Sequence, residues 1–475
     1  MPFWGDEAFL GLNVIRRDYG DLLRPLDLAQ VAPGLFLWIE RFVYVHLGMS
    51  EWALRLPQMV AGIGALFLFW RWARLLARPL AAAMAVGIVA VGHYLVRYGV
   101  EFKPYAFDLL ASTALLLPAT HYLISRRLGW MAILIAVTPV CLLVSYPSVF
   151  VAGGIAFALL FVLWRSRWAH WVVAGAYAAV VAGVFFLVIG LYAQGQYDRT
   201  GGSMLAYWKD AFPPGDPIRF AAWIVRIHTG NMFAYPFGGK NGASILSVVG
   251  FLIGLVAFRK ERTGDTGRAL LALLLVPFAL TFVAAAMHRY PYGESARVAQ
   301  HLAPAIIVLI GVGIETVILR SSRQPETRRL AARIVFVFLL LLALGGMAEN
   351  VAHPYKTMPD FLARRLFRDL FREVGNNGHI VVLQPRDGLI SNFQWYLSEH
   401  EDRVIYDGWN EETWRNEQGK LRILNLEKDP TAAGRLRRML GREVNSSEVH
   451  DLQLGPVQTG PSHWELLVSE PAAEL

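Results

Sequence analysis

The sequence predicts an α-helical polytopic membrane bundle followed by a small α/β domain outside the membrane. Apolar runs of spanning length recur through the first 349 residues. Only 17% of the 475 residues are charged and 55% are hydrophobic, whereas a soluble chain is about one quarter charged. From about Glu349 onward the composition turns charged and mixed. Cys141 is the only cysteine; together with the composition this excludes a disulfide scaffold, a disordered chain and a collagen.

A hydrocarbon core needs about 20 mainly apolar residues per helix. Such runs lie at 56–76, 79–97, 105–124, 130–146, 147–164, 170–192, 244–258, 269–287, 302–319 and 331–348, predicting ten spans. The connections between them differ in charge. One alternate set holds Arg71, Arg74, Arg78, Arg126, Arg127, Arg165, Arg167, Arg259, Lys260, Arg262 and Arg268, then Arg320, Arg323, Arg328, Arg329 and Arg333. The other set is much longer and far poorer in Lys and Arg, so the first is predicted to be cytoplasmic. The same distribution argues against nucleic acid as a partner, because the 45 Lys and Arg fall in short clusters between apolar runs instead of along one basic face.

Three larger pieces then lie outside: residues 1–55, the loop 193–243, and the soluble α/β domain 350–475. In the last, 361–374 reads as an amphipathic helix, and 379–383, 403–406 and 464–468 read as strands. Asn445-Ser446-Ser447 has the form of a glycosylation sequon. The run 35–47 contains Glu40, Arg41 and His46; charges at mid-span cost at least ~2.5 kcal/mol each, so it is expected to lie in the interface. Nothing ahead of residues 1–55 could carry them outward: either later helices translocate the segment or a longer gene product has a first span, and topology favours the second.

Several polar motifs fall on the predicted outer side. Trp4-Gly5-Asp6-Glu7-Ala8 opens the chain, Gln30-Val31-Ala32-Pro33 precedes the interfacial run, and Ser50-Glu51 with Arg55-Leu56-Pro57 begins the first span. Later come Arg97-Tyr98-Gly99-Val100-Glu101-Phe102-Lys103-Pro104-Tyr105, with Asp108 a turn inside the next run, and His288-Arg289-Tyr290-Pro291-Tyr292 followed by Arg297. By themselves these have plain readings. Asp6-Glu7 suits a helix start, Glu101 and Lys103 a surface ion pair, and the arginines and tyrosines interface anchoring. Asp108 reads equally as a functional intramembrane acid and as a partner of Lys103.

In their order and common side, these motifs resemble the polyprenyl-phosphate-sugar-dependent membrane glycosyltransferases of the C-type fold. That group includes the protein mannosyltransferases and the bacterial lipid A aminoarabinose transferases. The resemblance runs from residue 4 to about 320. It implies a glycosyltransferase at the outer face of a bacterial cytoplasmic (inner) membrane, moving a sugar from a polyprenyl-phosphate donor to a lipid, glycan or protein acceptor. It assigns Asp6 as the base, with Glu7 orienting the sugar or Asp6 and Glu101 as a second acid. Lys103, Arg289 and Arg297, with His288 and Tyr292 beside them, become the donor-phosphate contacts, since guanidinium forks match phosphate oxygens. No cofactor is expected: no metal-ligand spacing, Walker A or Rossmann pattern occurs. Asp6, Glu7 and Glu101 are the residues that would hold a divalent ion were one used. The glycine pairs 153–154, 201–202 and 345–346 suit close packing or loops. The competing readings are a transporter or flippase of a lipid-linked or small solute, whose polar residues would sit near mid-membrane, and a non-catalytic membrane scaffold.

Overall fold

In the computed structural model the residues described are 2–164, 166–199, 202–236, 244–352, 358–376, 378–382, 391–406, 421–425, 449–456 and 464–468. They fall into two compact units, residues 17–349, and residues 1–16 with 350–475. Helix α1 (Gly5–Arg16) belongs to the second.

The larger unit is helical throughout. It starts with α2 (Gly34–Leu47), α3 (Leu56–Leu76), α4 (Pro79–Val91) and α5 (His93–Tyr98). Next come α6 (Tyr105–Ser125), α7 (Leu128–Val144), α8 (Ser148–Leu163) and α9 (Trp168–Phe185). Three short helices follow: α10 (Gln194–Arg199), α11 (Ser203–Tyr207) and α12 (Pro217–Thr229). The series closes with α13 (Ser244–Glu261), α14 (Gly264–Ala286), α15 (Ala303–Ser321) and α16 (Pro325–Ala352). Prolines at the first turns of α3, α4 and α15 start helices where no amide hydrogen is needed.

Every predicted apolar run is helical, with one interruption. The run 79–97 breaks at Gly92 into α4 and α5. Among the described residues, six helical stretches are long and apolar enough to cross a membrane: Ala53–Leu76, Tyr105–Ser125, Trp168–Val188, Gly264–Ala286, Ala303–Ser321 and Pro325–Glu349. Helices α4, α7 and α8 are apolar but shorter, and α13 ends in Arg259-Lys260-Glu261.

The bundle packs α8 on α14, α13 on α15, and α3 on α6. A Cβ at Gly254 or Gly313 would run into the facing backbone at Leu309 and Gly250, and Gly153-Gly154 lie against Leu280 and Pro277 of α14. These small residues let helix backbones approach, which is how apolar helices gain van der Waals contact in lipid. Helix α2 turns two faces: Phe42, Val45 and Leu47 are exposed while Phe36, Leu37 and Glu40 are buried.

Polar contacts sort the connections to two ends. At one, Arg78 pairs with Glu261 (3.0 Å), Arg262 bonds the Leu76 carbonyl (3.0 Å) and Arg126 bonds Thr266 (3.0 Å). The other end gathers the long connections, through Lys103 to Gln30 (2.6 Å), Tyr146 to the Ala32 carbonyl (2.9 Å) and Asn231 to the Glu294 carbonyl (2.8 Å).

In the smaller unit, α17 (Met358–Val374) and α18 (Ser391–Ser398) accompany β1 (His379–Val382), β2 (Val404–Tyr406), β3 (Leu421–Asn425), β4 (Val449–Pro456) and β5 (Trp464–Val468). Strand order is β2-β1-β3-β4-β5, parallel except for the antiparallel β4–β5 pair. Helix α17 buries Phe367 against Phe393 of α18, ring centroids 5.0 Å apart. Helix α1 joins this unit through α18: Phe3 meets Trp395 at 4.7 Å and Gly11 leaves room for the Trp395 ring. Strands β3 and β4 had no sequence prediction. Leu383, expected to end the first strand, and the sequon 445–447 lie outside the described residues.

Candidate active site

The connection 99–104, between α5 and α6, buries both of its charged side chains, Glu101 at 6% and Lys103 at 7% exposure. An exposed surface pair is therefore not what the fold makes of them. A bond from the Lys103 backbone N–H to the Glu101 carbonyl (2.6 Å) closes the turn. The Lys103 ammonium donates to Gln30 Oε1 at 2.6 Å, and the Gln30 amide in turn donates to the Leu28 carbonyl at 3.2 Å. Leu28 and Ala29 take left-handed backbone angles, φ 60° and 52°, uncommon for such residues. That turn presents Gln30 to the lysine. A buried ammonium is costly unless hydrogen-bonded or paired, so this placement is specific.

Arg297 stands in the short helical turn Ala296–Ala299, just before α15. Its Nη2 donates to the Tyr207 hydroxyl at 2.6 Å, and its guanidinium lies 4.8 Å from the Trp208 ring centroid. Tyr98 links this residue to Glu101. Burial first, and then the Glu101 carboxylate, push the Tyr98 phenol up to about 12, against a hydrogen bond with Ser295 and the opposing charges of Arg297 and Arg97. One phenol thus feels the acid of the 99–104 turn and the arginine of the late connection. Helix α5 packs against the turn Ala296–Ala299 that bears Arg297, and the connection holding Glu101 and Lys103 follows α5 directly.

Other predicted residues have different surroundings. Arg289 is exposed and donates to Gln194 at 3.4 Å. His288, also exposed, lies on the Phe212 ring at 4.9 Å. Tyr292 is turned into an aromatic cluster, 5.7 Å from Phe282 and 5.9 Å from Trp223, and its hydroxyl meets His228 Nε2 at 3.4 Å. Burial pushes that His228 imidazole below its ordinary range, with a bond to the Ile224 carbonyl opposing. Tyr292 is 4% exposed, among the packed aromatic side chains of this loop. Asp108 is buried and accepts a 2.7 Å bond from Ser145, joining α6 to the end of α7. Of the two readings open for Asp108, the pairing with Lys103 gives way to Asp108–Ser145 and Lys103–Gln30.

Asp6 and Glu7 belong to the smaller unit, in the first turn of α1. Glu7 is buried and its Oε2 accepts the Trp4 backbone N–H at 3.2 Å. That reach back to the residue ahead of the helix is half of a capping box, so Glu7 has the helix-opening role its position suggested. Asp6 is half-buried. Among the described residues, no three His, Cys, Asp or Glu side chains converge in a way that could hold a metal ion. Gln30 could have been found from its Gln-x-x-Pro context. Tyr207 and Trp208 had no sequence signal, because their relation to Arg297 is purely tertiary.

Residues 31–190 match the profile of a family described as dolichyl-phosphate-mannose-protein mannosyltransferase. The match includes Glu101 and Lys103 and leaves out Asp6 and Arg297. No curated protein matches the sequence. Among solved structures, the chain is similar to ArnT from Cupriavidus metallidurans in the apo state, with 13% identity and a TM-score of 0.51 over 88% of this chain and 87% of that one. The same protein bound to undecaprenyl phosphate gives 13% and 0.49 over 88% of each. The archaeal oligosaccharyltransferase AglB from Archaeoglobus fulgidus, in complex with an inhibitory peptide and a dolichol-phosphate, gives 14% and 0.48 over 85% of this chain and 60% of that one. The chain is thus a multi-span membrane protein with the fold seen in ArnT, and its residues 31–190 match the profile of the protein mannosyltransferase family.

Proposed function

We propose that this protein is a glycosyltransferase that moves a sugar from a polyprenyl-phosphate donor to a lipid, glycan or protein acceptor at the outer face of a bacterial inner membrane. The observation that carries the reading is the buried Lys103 held by Gln30, beside Glu101 and within a family-matched stretch. A fixed cation at the end of a bundle suits a leaving phosphate, because charge preorganised where charge develops is the largest usual catalytic contribution.

In this reading the acceptor hydroxyl attacks the anomeric carbon while the bond to the phosphate oxygen breaks. Asp6 takes the hydroxyl proton, a role resting on the family resemblance. The polyprenyl phosphate leaves with the electron pair, its charge met by Lys103 and Arg297, with the exposed Arg289 and His288 as further anion contacts on the same connection. Glu101 is the second acid, near the acceptor, a role that also rests on the resemblance. The sequence-level charge bias of the connections supports an outer placement. A transport reading would need its polar residues near mid-span, whereas Glu101, Lys103 and Arg297 all stand in connecting segments.

The test is lipid and glycan profiling of a deletion strain complemented with the wild-type gene or with Asp6→Asn. The reading expects one envelope glycan or lipid to lose a sugar on deletion and to regain it only with the wild-type gene. An unchanged profile on deletion, or full restoration by Asp6→Asn, would contradict it.

A further inference from the structure

Two aromatic residues, adjacent in sequence and remote from every motif, hold the arginine assigned to the donor phosphate. Arg297 donates to the Tyr207 hydroxyl at 2.6 Å and lies 4.8 Å from the Trp208 ring centroid and 5.6 Å from that of Tyr207. The rings themselves meet edge to face, centroids 5.1 Å apart at 84°, so they form a corner around the guanidinium. Their segment is anchored to the connection that bears Arg297: the Tyr292 backbone N–H donates to the Ala211 carbonyl at 3.1 Å. Tyr207 is 64% exposed, so its burial adds little to the fold.

An arginine on a flexible stem contributes most to anion binding when its plane is set before the anion arrives. Contact with the Trp208 ring at 4.8 Å restrains the guanidinium on one side. The hydroxyl of Tyr207 fixes the rotation within the plane.

We propose that Tyr207 and Trp208 are positioning residues that present the Arg297 guanidinium to the phosphate of a polyprenyl-phosphate ligand, an inference that rests on the donor reading above. The experiment measures equilibrium binding of radiolabelled undecaprenyl phosphate to the full-length protein in lipid nanodiscs. Trp208→Leu and Tyr207→Phe each weaken binding by roughly 2- to 30-fold, the range of one desolvated cation–π or charged hydrogen bond. Trp208→Phe, which keeps a ring face, recovers most of the loss. In an Arg297→Ala background neither ring substitution has a further effect, a non-additivity that a merely structural role would not produce. Unweakened binding in the ring variants, or the same loss with Arg297 absent, overturns the positioning role and leaves the donor reading intact. Absence of binding by the wild-type protein overturns both.

Discussion

Gln58 of α3 donates its amide to Glu40 of α2 at 2.7 Å, and both side chains are fully buried. Glu40 Oε2 and Gln58 Oε1 each lack a further partner among the described residues. Burial holds the Glu40 carboxyl well above its ordinary range, with the Gln58 bond opposing. A proton on Oε2 would add the donor that these two orphan oxygens lack.

That pair gives a pH dependence with a definite sign. The folded protein keeps the Glu40 proton where the unfolded chain has lost it, so stability falls as pH rises from about 4, the ordinary carboxyl value, up to the raised folded value. Glu40→Gln removes the titration. Its melting temperature relative to wild type should therefore climb as pH rises through that window. A constant difference across pH would show that Glu40 is ionised. Glu40→Ala leaves Gln58 unsatisfied and should cost roughly 1–3 kcal/mol.

Gln30 should act through Lys103. Gln30→Leu removes the acceptor of a buried ammonium, and a bond to a charged group is worth about 1.5–3 kcal/mol. The expected result is a donor KM raised at least roughly tenfold, with the acceptor KM little changed, read from initial rates. Equal loss on both substrates would indicate general damage to the turn.

Asp108 should be replaceable by its amide. In Asp108→Asn the side-chain oxygen still accepts the Ser145 hydroxyl, so insertion, stability and turnover are retained. Asp108→Leu strands Ser145 and lowers stability by roughly 1–3 kcal/mol, as thermal unfolding in detergent would report. A turnover lost in Asp108→Asn with unfolding unchanged would restore this acid to the chemistry.

Asp6→Asn should leave membrane insertion and unfolding temperature near wild type while turnover falls by about 10²–10⁴, the usual contribution of a positioned general base. Retention of most turnover would remove Asp6 from that role.

What the sequence made legible follows from which interactions are local. Apolar runs such as 105–124 and 302–319 announce helices because lipid leaves the backbone no other way to satisfy its hydrogen bonds. The break of α4 and α5 at Gly92 was hidden, since apolar residues continue through it. Glu101, Lys103 and Arg297 stood out as charges at the ends of apolar runs. The pairings Gln30–Lys103, Glu40–Gln58 and Arg297–Trp208 were not legible: each joins residues 18 to 89 positions apart, and even where a motif marks one residue, as for Gln30, it does not name the partner. Asp108 stood open between two readings. A buried acid looks functional in sequence, and only the Ser145 hydroxyl shows why it is tolerated there.

The most direct measurement of the central claim is release of undecaprenyl phosphate from an undecaprenyl-phosphate sugar by the purified protein in nanodiscs, comparing wild type with Lys103→Met and Arg297→Ala. The account predicts release that requires an acceptor hydroxyl and drops by at least roughly tenfold in each variant, the loss of one charged contact to the leaving phosphate. Release that proceeds at the wild-type rate in both variants would contradict it, as would no release by the wild type with a panel of donor sugars and acceptors.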